Sequence, residues 1–227
     1  MRKRLLTLLV TGLLAGSTGV ASAGENGVVW TDAGPIRGTV ATNHQSYLGI
    51  PFAAPPVGEL RWRSPQPVQP WTEVRDATKF SGACAHSNGG GAKTENEDCL
   101  YLNVTTPSRH GRKPVMVWLH GGGNSYLTAS GFDGTRIATQ GDAVVVTTNF
   151  RLGFFGFLGH PGLPNSGAYG IEDQQAALRW VQRNAAAFGG DPDNVTVFGE
   201  SGGAFDVCAQ LTAPGSRGLF HRAIAQS

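Results

Sequence analysis

Two unbroken apolar stretches, Pro114-Val-Met-Val-Trp-Leu119 and Ala143-Val-Val-Val-Thr147, set the reading of this chain. Neither alternates apolar with polar, so each predicts a strand buried on both faces, as in a parallel sheet covered by helices. Between Ile171 and Phe188 the period changes. Ile171, Leu178, Val181, Ala185 and Phe188 recur at helical spacing, Glu172 and Asp173 fall in the first turn, and Gly189-Gly190 supplies a stop. A β-rich run, Asn194-Val-Thr-Val-Phe198, comes next, then a helix-compatible segment, then Arg222-Ala-Ile-Ala225 as a further strand. Strands alternating with helices predict βαβ units, hence an α/β class with a mainly parallel sheet and helices on both faces. The Pro-rich stretch from Val28 to Trp71 predicts a small antiparallel edge and surface loops.

The first residues follow another pattern. Arg2-Lys3-Arg4 precede an apolar run from Leu5 to Leu14 and the small residues Ala21-Ser22-Ala23. This predicts a secretory signal peptide over residues 1–23, cleaved after Ala23, and an exported protein with one domain over 24–227. The apolar run is too short to span a bilayer, and no later stretch approaches that length. Setting the segment aside changes the charge. It holds three of the 18 basic residues and none of the 16 acidic ones, which leaves 15 against 16 and a net charge of −1. No basic face therefore points to nucleic acid, and no charge run to a tail.

Three cysteines in an exported protein suggest one disulfide and one spare thiol. Cys84 and Cys99 bracket a loop-like segment and are the natural pair, whereas Cys208, seven residues after Ser201, is expected to be a buried free thiol on the following helix. No histidine or cysteine stands at ligand spacing from another, so no metal site is expected; nor is any organic cofactor implied.

The chemistry lies in two glycine-rich turns. In Gly199-Glu200-Ser201-Gly202-Gly203 a serine sits between a strand and a helix, the context of a nucleophile elbow. The turn is so sharp that the positions two before and two after the serine must be glycine. His120-Gly121-Gly122-Gly123 directly follows the Pro114–Leu119 run, and three glycines allow backbone N–H groups to converge on one point, as a tetrahedral oxyanion requires.

With these turns in view, the chain resembles the N-terminal half of a type-B carboxylesterase, an α/β-hydrolase family that includes cholinesterases and bacterial para-nitrobenzyl esterases. Further matching segments are Tyr47 to Arg61, Glu97 to Asn103, Asn149-Phe-Arg-Leu-Gly153, and Asp173-Gln174 through Phe188-Gly-Gly-Asp-Pro192. The resemblance implies an exported carboxylic-ester hydrolase in which Ser201 is acylated and the N–H groups of Gly122, Gly123 and Gly202 form the oxyanion hole. It implies that Glu200 is a buried carboxylate supporting the catalytic histidine, and that Cys84 and Cys99 form the family's first disulfide. Arg61 with Glu97, and Arg151 with Asp173, would be structural ion pairs. Three departures stand out. Gly202 replaces a common alanine. Asn124 replaces an aromatic or small apolar residue and would make the acyl site more polar. The Cys84–Cys99 loop carries no aromatic residue, which disfavours a choline ester.

A serine needs a histidine and an acid, and α/β-hydrolases supply them in the order Ser, acid, His. After Ser201 only Asp206 and His221 are available, and His221 lies in a segment that the family does not use for catalysis. His44, His86, His110, His120 and His160 all precede the nucleophile. The expectation is therefore a chain truncated before the strands that bear the acid and histidine, whose partners are a small ester and a C-terminal half. The alternatives are a non-catalytic cholinesterase-like binding module or an inactive truncated paralogue.

Overall fold

A computed structural model describes residues 27–86, 94 and 96–227; the expected signal peptide lies outside the described residues. The strands predicted from the sequence form one side of a seven-stranded sheet, from its edge to its middle. They are β7 (Lys113–Leu119), β8 (Val144–Thr148), β9 (Gly190–Glu200) and β10 (Arg222–Gln226). Their order is β10-β9-β7-β8, and all three of these pairings are parallel. Beyond β8 the sheet continues through β6 (Tyr101–Thr106), β4 (Gln45–Pro51) and β3 (Thr39–Val40), each pairing antiparallel. The sheet is thus mixed, with its parallel part around the elbow strand β9. The Pro-rich N-terminal stretch also forms a separate three-stranded sheet: β1 (Val28–Trp30) is antiparallel to β2 (Pro35–Arg37), which pairs parallel with β5 (Arg75–Asp76).

Both faces of the parallel part are covered, as the continuous apolar runs require. Side chains alternate along a strand. On one face Val115 and Val117 of β7 pack with Leu178 and Val181 of α3 (Tyr169–Asn184). Leu119 joins Val197 of β9 and Val207 of α4 (Gly202–Thr212) on that same face. On the other face Trp118 stacks on Phe132 at 4.4 Å and tilts against Phe198 at 4.9 Å, just ahead of α1 (Thr135–Gly141). The helix predicted to reach Phe188 finishes its α-helical part at Asn184 and adds a 3-10 turn over Ala185–Phe188. Gly189 then ends it with φ of 79°, at a point where a Cβ would lie 2.6 Å from the Ser108 carbonyl oxygen.

Cys84 and Cys99 are joined, with Cα atoms 5.0 Å apart. The free Cys208 is exposed, contrary to the buried thiol expected from the sequence. The cause is helix geometry: α4 turns Ala204, Val207 and Gln210 inward, and Cys208 shares the outward face with Phe205 and Leu211.

The two expected ion pairs both form, in different environments. Arg61 donates to Glu97 in a bidentate arrangement near the surface. Arg151 and Asp173 are buried, and the Arg151 Nε, Nη2 and backbone N donate to the carboxylate at 2.7, 2.7 and 3.0 Å. Burial pushes the Asp173 carboxyl up while the Arg151 donors pull it down. The pair ties the turn after β8 to α3, on which the sheet face rests. Removing one partner strands a buried charge, so Asp173→Ala is expected to lower stability by about 3–5 kcal/mol. Arg61→Ala should shift the denaturant midpoint far less, and equal shifts for the two variants would contradict this reading.

Candidate active site

Ser201 stands between β9 and α4 with φ 54° and ψ −121°, a conformation that L-residues rarely adopt. Such strain costs on the order of 1–3 kcal/mol and persists only where the surroundings impose it. Here they do. The Ser201 N–H donates to the Gln226 carbonyl of β10 at 3.0 Å, and the Ser201 carbonyl accepts from Ala204 and Phe205 at 2.9 and 3.2 Å. The flanking glycines allow backbone to meet backbone. A Cβ on Gly199 would lie 2.5 Å from Gly203 C and O, and one on Gly203 would lie 2.1 Å from the Leu119 oxygen. The elbow is therefore pressed against the end of β7, where Leu119 is also in register with Gly199 of β9.

That contact brings the His120–Gly123 loop beside the serine. A Cβ on Gly121 would approach Ser201 Cβ to 3.3 Å, and one on Gly202 would lie 2.7 Å from the Gly123 nitrogen. Gly122 has φ of 91°, with the Tyr126 carbonyl oxygen 2.3 Å from where its Cβ would stand, so only glycine fits. Among the described residues the Gly122 and Gly123 N–H groups have no acceptor. The Gly202 N–H, first in α4, has no acceptor within its own helix. The Gly123 nitrogen thus lies beside Gly202, the residue after Ser201, with its N–H open.

His120 holds the loop from beneath. Its ring is 3% exposed, stacks on Phe150 at 4.4 Å, and Nδ1 sits 2.9 Å from the Gly121 carbonyl oxygen, so the neutral ring donates from Nδ1. Burial pushes this imidazole down to about 4. It positions the loop and is not placed as a base. His221 is committed elsewhere: its Nδ1 accepts from the Val195 N–H and its own N–H donates to the Val195 carbonyl, which fastens β10 to β9. His86 Nδ1 sits on the Cys84 carbonyl, and His110 and His160 are exposed. No described histidine bonds to Ser201.

Two expectations change. Glu200, expected to be buried, is exposed at the end of β9; its Oε2 lies 2.8 Å from where a Gly121 Cβ would stand, and no described segment covers it. Asn124 lines an open hollow of about 370 Å³ with Gly123, with Gly153, Phe154 and Phe157 of α2 (Gly153–Phe157), and with Leu158. Its NH2 group, however, is directed to Asp206 Oδ1 at 2.8 Å rather than left free for a ligand. The role of Asp206 was not visible in the sequence, where it is one polar residue on an amphipathic helix.

Comparison with known proteins agrees with this geometry. The model of the carboxylesterase family matches residues 25–227. The chain is 44% identical over 213 residues to the para-nitrobenzyl esterase of Bacillus subtilis, an alignment covering 88% of this chain and 43% of that protein. It is 46% identical to the fumonisin B1 esterase of Sphingopyxis macrogoltabida, over 87% of this chain and 39% of that one. Among solved structures a thermophilic pNB esterase superposes with a TM-score of 0.83 at 41% identity, covering 88% and 44% of the two chains. A carboxylesterase of Geobacillus stearothermophilus gives 0.81 at 43%, covering 87% and 43%. The chain thus spans less than half the length of these relatives, and it shares their α/β-hydrolase fold.

The buried His120 makes stability depend on pH. Unfolded, the ring titrates near 6.5; folded, it does so at about 4. Between these values the unfolded chain binds the proton and the folded chain does not, so stability falls as pH drops through that window, by about 3 kcal/mol in all. Unfolding free energies from urea titrations at pH 7 and pH 4.5 should differ by about 2.5 kcal/mol more in the wild type than in His120→Asn, and equal pH slopes would refute the assignment.

Proposed function

Because the chain belongs to the carboxylesterase family, we propose that it hydrolyses carboxylic esters through an acyl-serine intermediate on Ser201, in an exported protein. The observation that carries this reading is the strained Ser201 backbone beside three unengaged N–H donors. Ser201 Oγ attacks the ester carbonyl carbon, and the oxygen that gains charge lies among the N–H groups of Gly122, Gly123 and Gly202. Each such donor is worth about 3 kcal/mol in the transition state. Collapse of the tetrahedral intermediate expels the alcohol, and water then releases the acid from the acyl-enzyme. The hollow lined by Gly153, Phe154, Phe157 and Leu158 opens beside the donors and supplies apolar surface for one side of the ester.

The proton of Ser201 needs a histidine oriented by an acid. In this reading both come from outside the described segment, since the described histidines are engaged elsewhere or exposed. Two of the relatives are named for para-nitrobenzyl and fumonisin B1 esters, and a carboxylic ester is the substrate class we infer for this chain. A fluorophosphonate probe applied to the full-length gene product is expected to modify Ser201, as located by peptide mass spectrometry. Ser201→Ala should abolish labelling and lower kcat about a million-fold. A folded, full-length protein that leaves Ser201 unmodified would overturn the proposal.

A further inference from the structure

Gly122, Gly123 and Asn124 have φ of 91°, 57° and 56°, three successive residues in the left-handed region. Gly123 has no side chain to pack, and nothing lies within 4 Å of where its Cβ would be. A loop of this kind does not hold its N–H groups on target unaided. It is fastened at Asn124 from two sides. The Asn124 carbonyl accepts from the Gly153 N–H at 2.7 Å, and the Asn124 Nδ2 donates to Asp206 Oδ1 at 2.8 Å.

Asp206 is 2% exposed, and its second oxygen accepts from Gln174 Nε2 at 2.6 Å. Gln174 Oε1 in turn accepts from Gln210 Nε2 at 2.8 Å, and Gln210 Oε1 accepts from the Ser216 hydroxyl, which also accepts from Gln175 at 3.1 Å. The carboxylate is thereby fixed between α3 and α4 by buried amides, and one of its oxygens is reserved for the oxyanion loop. Burial pushes its pKa up and the two amides pull it down, with no charged neighbour among the causes.

The same loop leans on Gly202. A Cβ there would lie 2.7 Å from the Gly123 nitrogen and 3.1 Å from the Asn124 nitrogen, so an alanine after the nucleophile has no room beneath the seated loop. We propose that Asn124 and Asp206 form a clamp that draws the oxyanion loop down onto the start of α4, that Gly202 provides the room for it, and that both clamp residues are therefore positioning residues for the Gly122 and Gly123 donors.

This inference rests on the esterase reading, and three measurements on the full-length protein separate the two. Asn124→Ala, on a half-exposed loop, is expected to lower kcat about 10- to 100-fold with KM changed much less, because donors displaced by under an ångström lose transition-state contact first. Gly202→Ala should be costly in the wild type and cost far less in the Asn124→Ala background, where the loop is already released. Asn124→Asp places a second carboxylate against Asp206. A shared proton restores the contact, so its activity relative to wild type should climb as pH falls, while the Asn124→Ala ratio stays flat.

An independent readout needs no turnover. Exchange of the Gly153 amide, bonded to the Asn124 carbonyl, should quicken about tenfold or more in Asn124→Ala and in Asp206→Asn. An active wild type whose Asn124→Ala variant matches it in kcat, or unchanged Gly153 exchange, overturns the clamp. An inactive wild type with quickened exchange overturns the esterase reading alone.

Discussion

The structure depends on one close approach of main chain to main chain. Gly203 at the start of α4 lies so near the Leu119 carbonyl at the end of β7 that no Cβ fits between them. This contact places the end of β9, the first turn of α4 and the loop after β7 at a single point. The φ of 54° at Ser201 follows from it, because the chain must leave β9 and enter α4 without moving away from β7. The gain is that Ser201 and the loop carrying Gly122 and Gly123 directly follow adjacent parallel strands locked in register, Leu119 against Gly199. The sheet fixes where both segments begin, and the contacts of the loop itself set the rest. The cost is backbone strain, and the apolar packing of Leu119, Val197 and Val207 beneath the elbow opposes its release.

Buried polar groups divide by what they hold. Arg151 and Asp173 bond one another through two guanidinium nitrogens and tie the turn after β8 to α3. His120 keeps its proton on Nδ1 for the Gly121 carbonyl and is held neutral by burial. Asp206 reaches from between two helices to the oxyanion loop. None of the three touches a described catalytic group directly, yet each fixes backbone within the elbow or its supports. A desolvated polar group is costly unless paired, so its partner acquires a unique place. Around this elbow polar burial therefore supplies position as well as stability.

The pattern of apolar runs disclosed β7, β8, β9, β10 and the helix before Gly189, because strands buried on both faces and an amphipathic helix each have a periodicity of their own. The elbow and the HGGG loop were legible for a related reason: their glycines are demanded by contacts under 3 Å, and such demands leave a composition signal. The antiparallel strand β6 did not stand out, since Tyr101–Thr106 mixes polar and apolar residues without clear alternation. Burial of individual side chains was misread where it depended on neighbours distant in sequence. Cys208 faces outward because of its phase on α4, and Glu200 is exposed because its carboxylate emerges at the uncovered end of β9. Asp206 stood out only as an acid after Ser201, and its contacts gave no signal, since its partners Asn124 and Gln174 are 82 and 32 residues away.

A nucleophile and its oxyanion donors place different demands on a fold from those of an acid and a base. The donors must be fixed before charge develops, because reorganising them during the reaction would consume the stabilisation they provide. Here that requirement is met locally, by β7, β9, the start of α4 and the polar groups beneath them. A histidine acting on Ser201 needs only to reach an oxygen already presented by the elbow. On the esterase reading, the electrostatic side of the site is held within residues 113–226, in a chain that spans under half the length of its relatives.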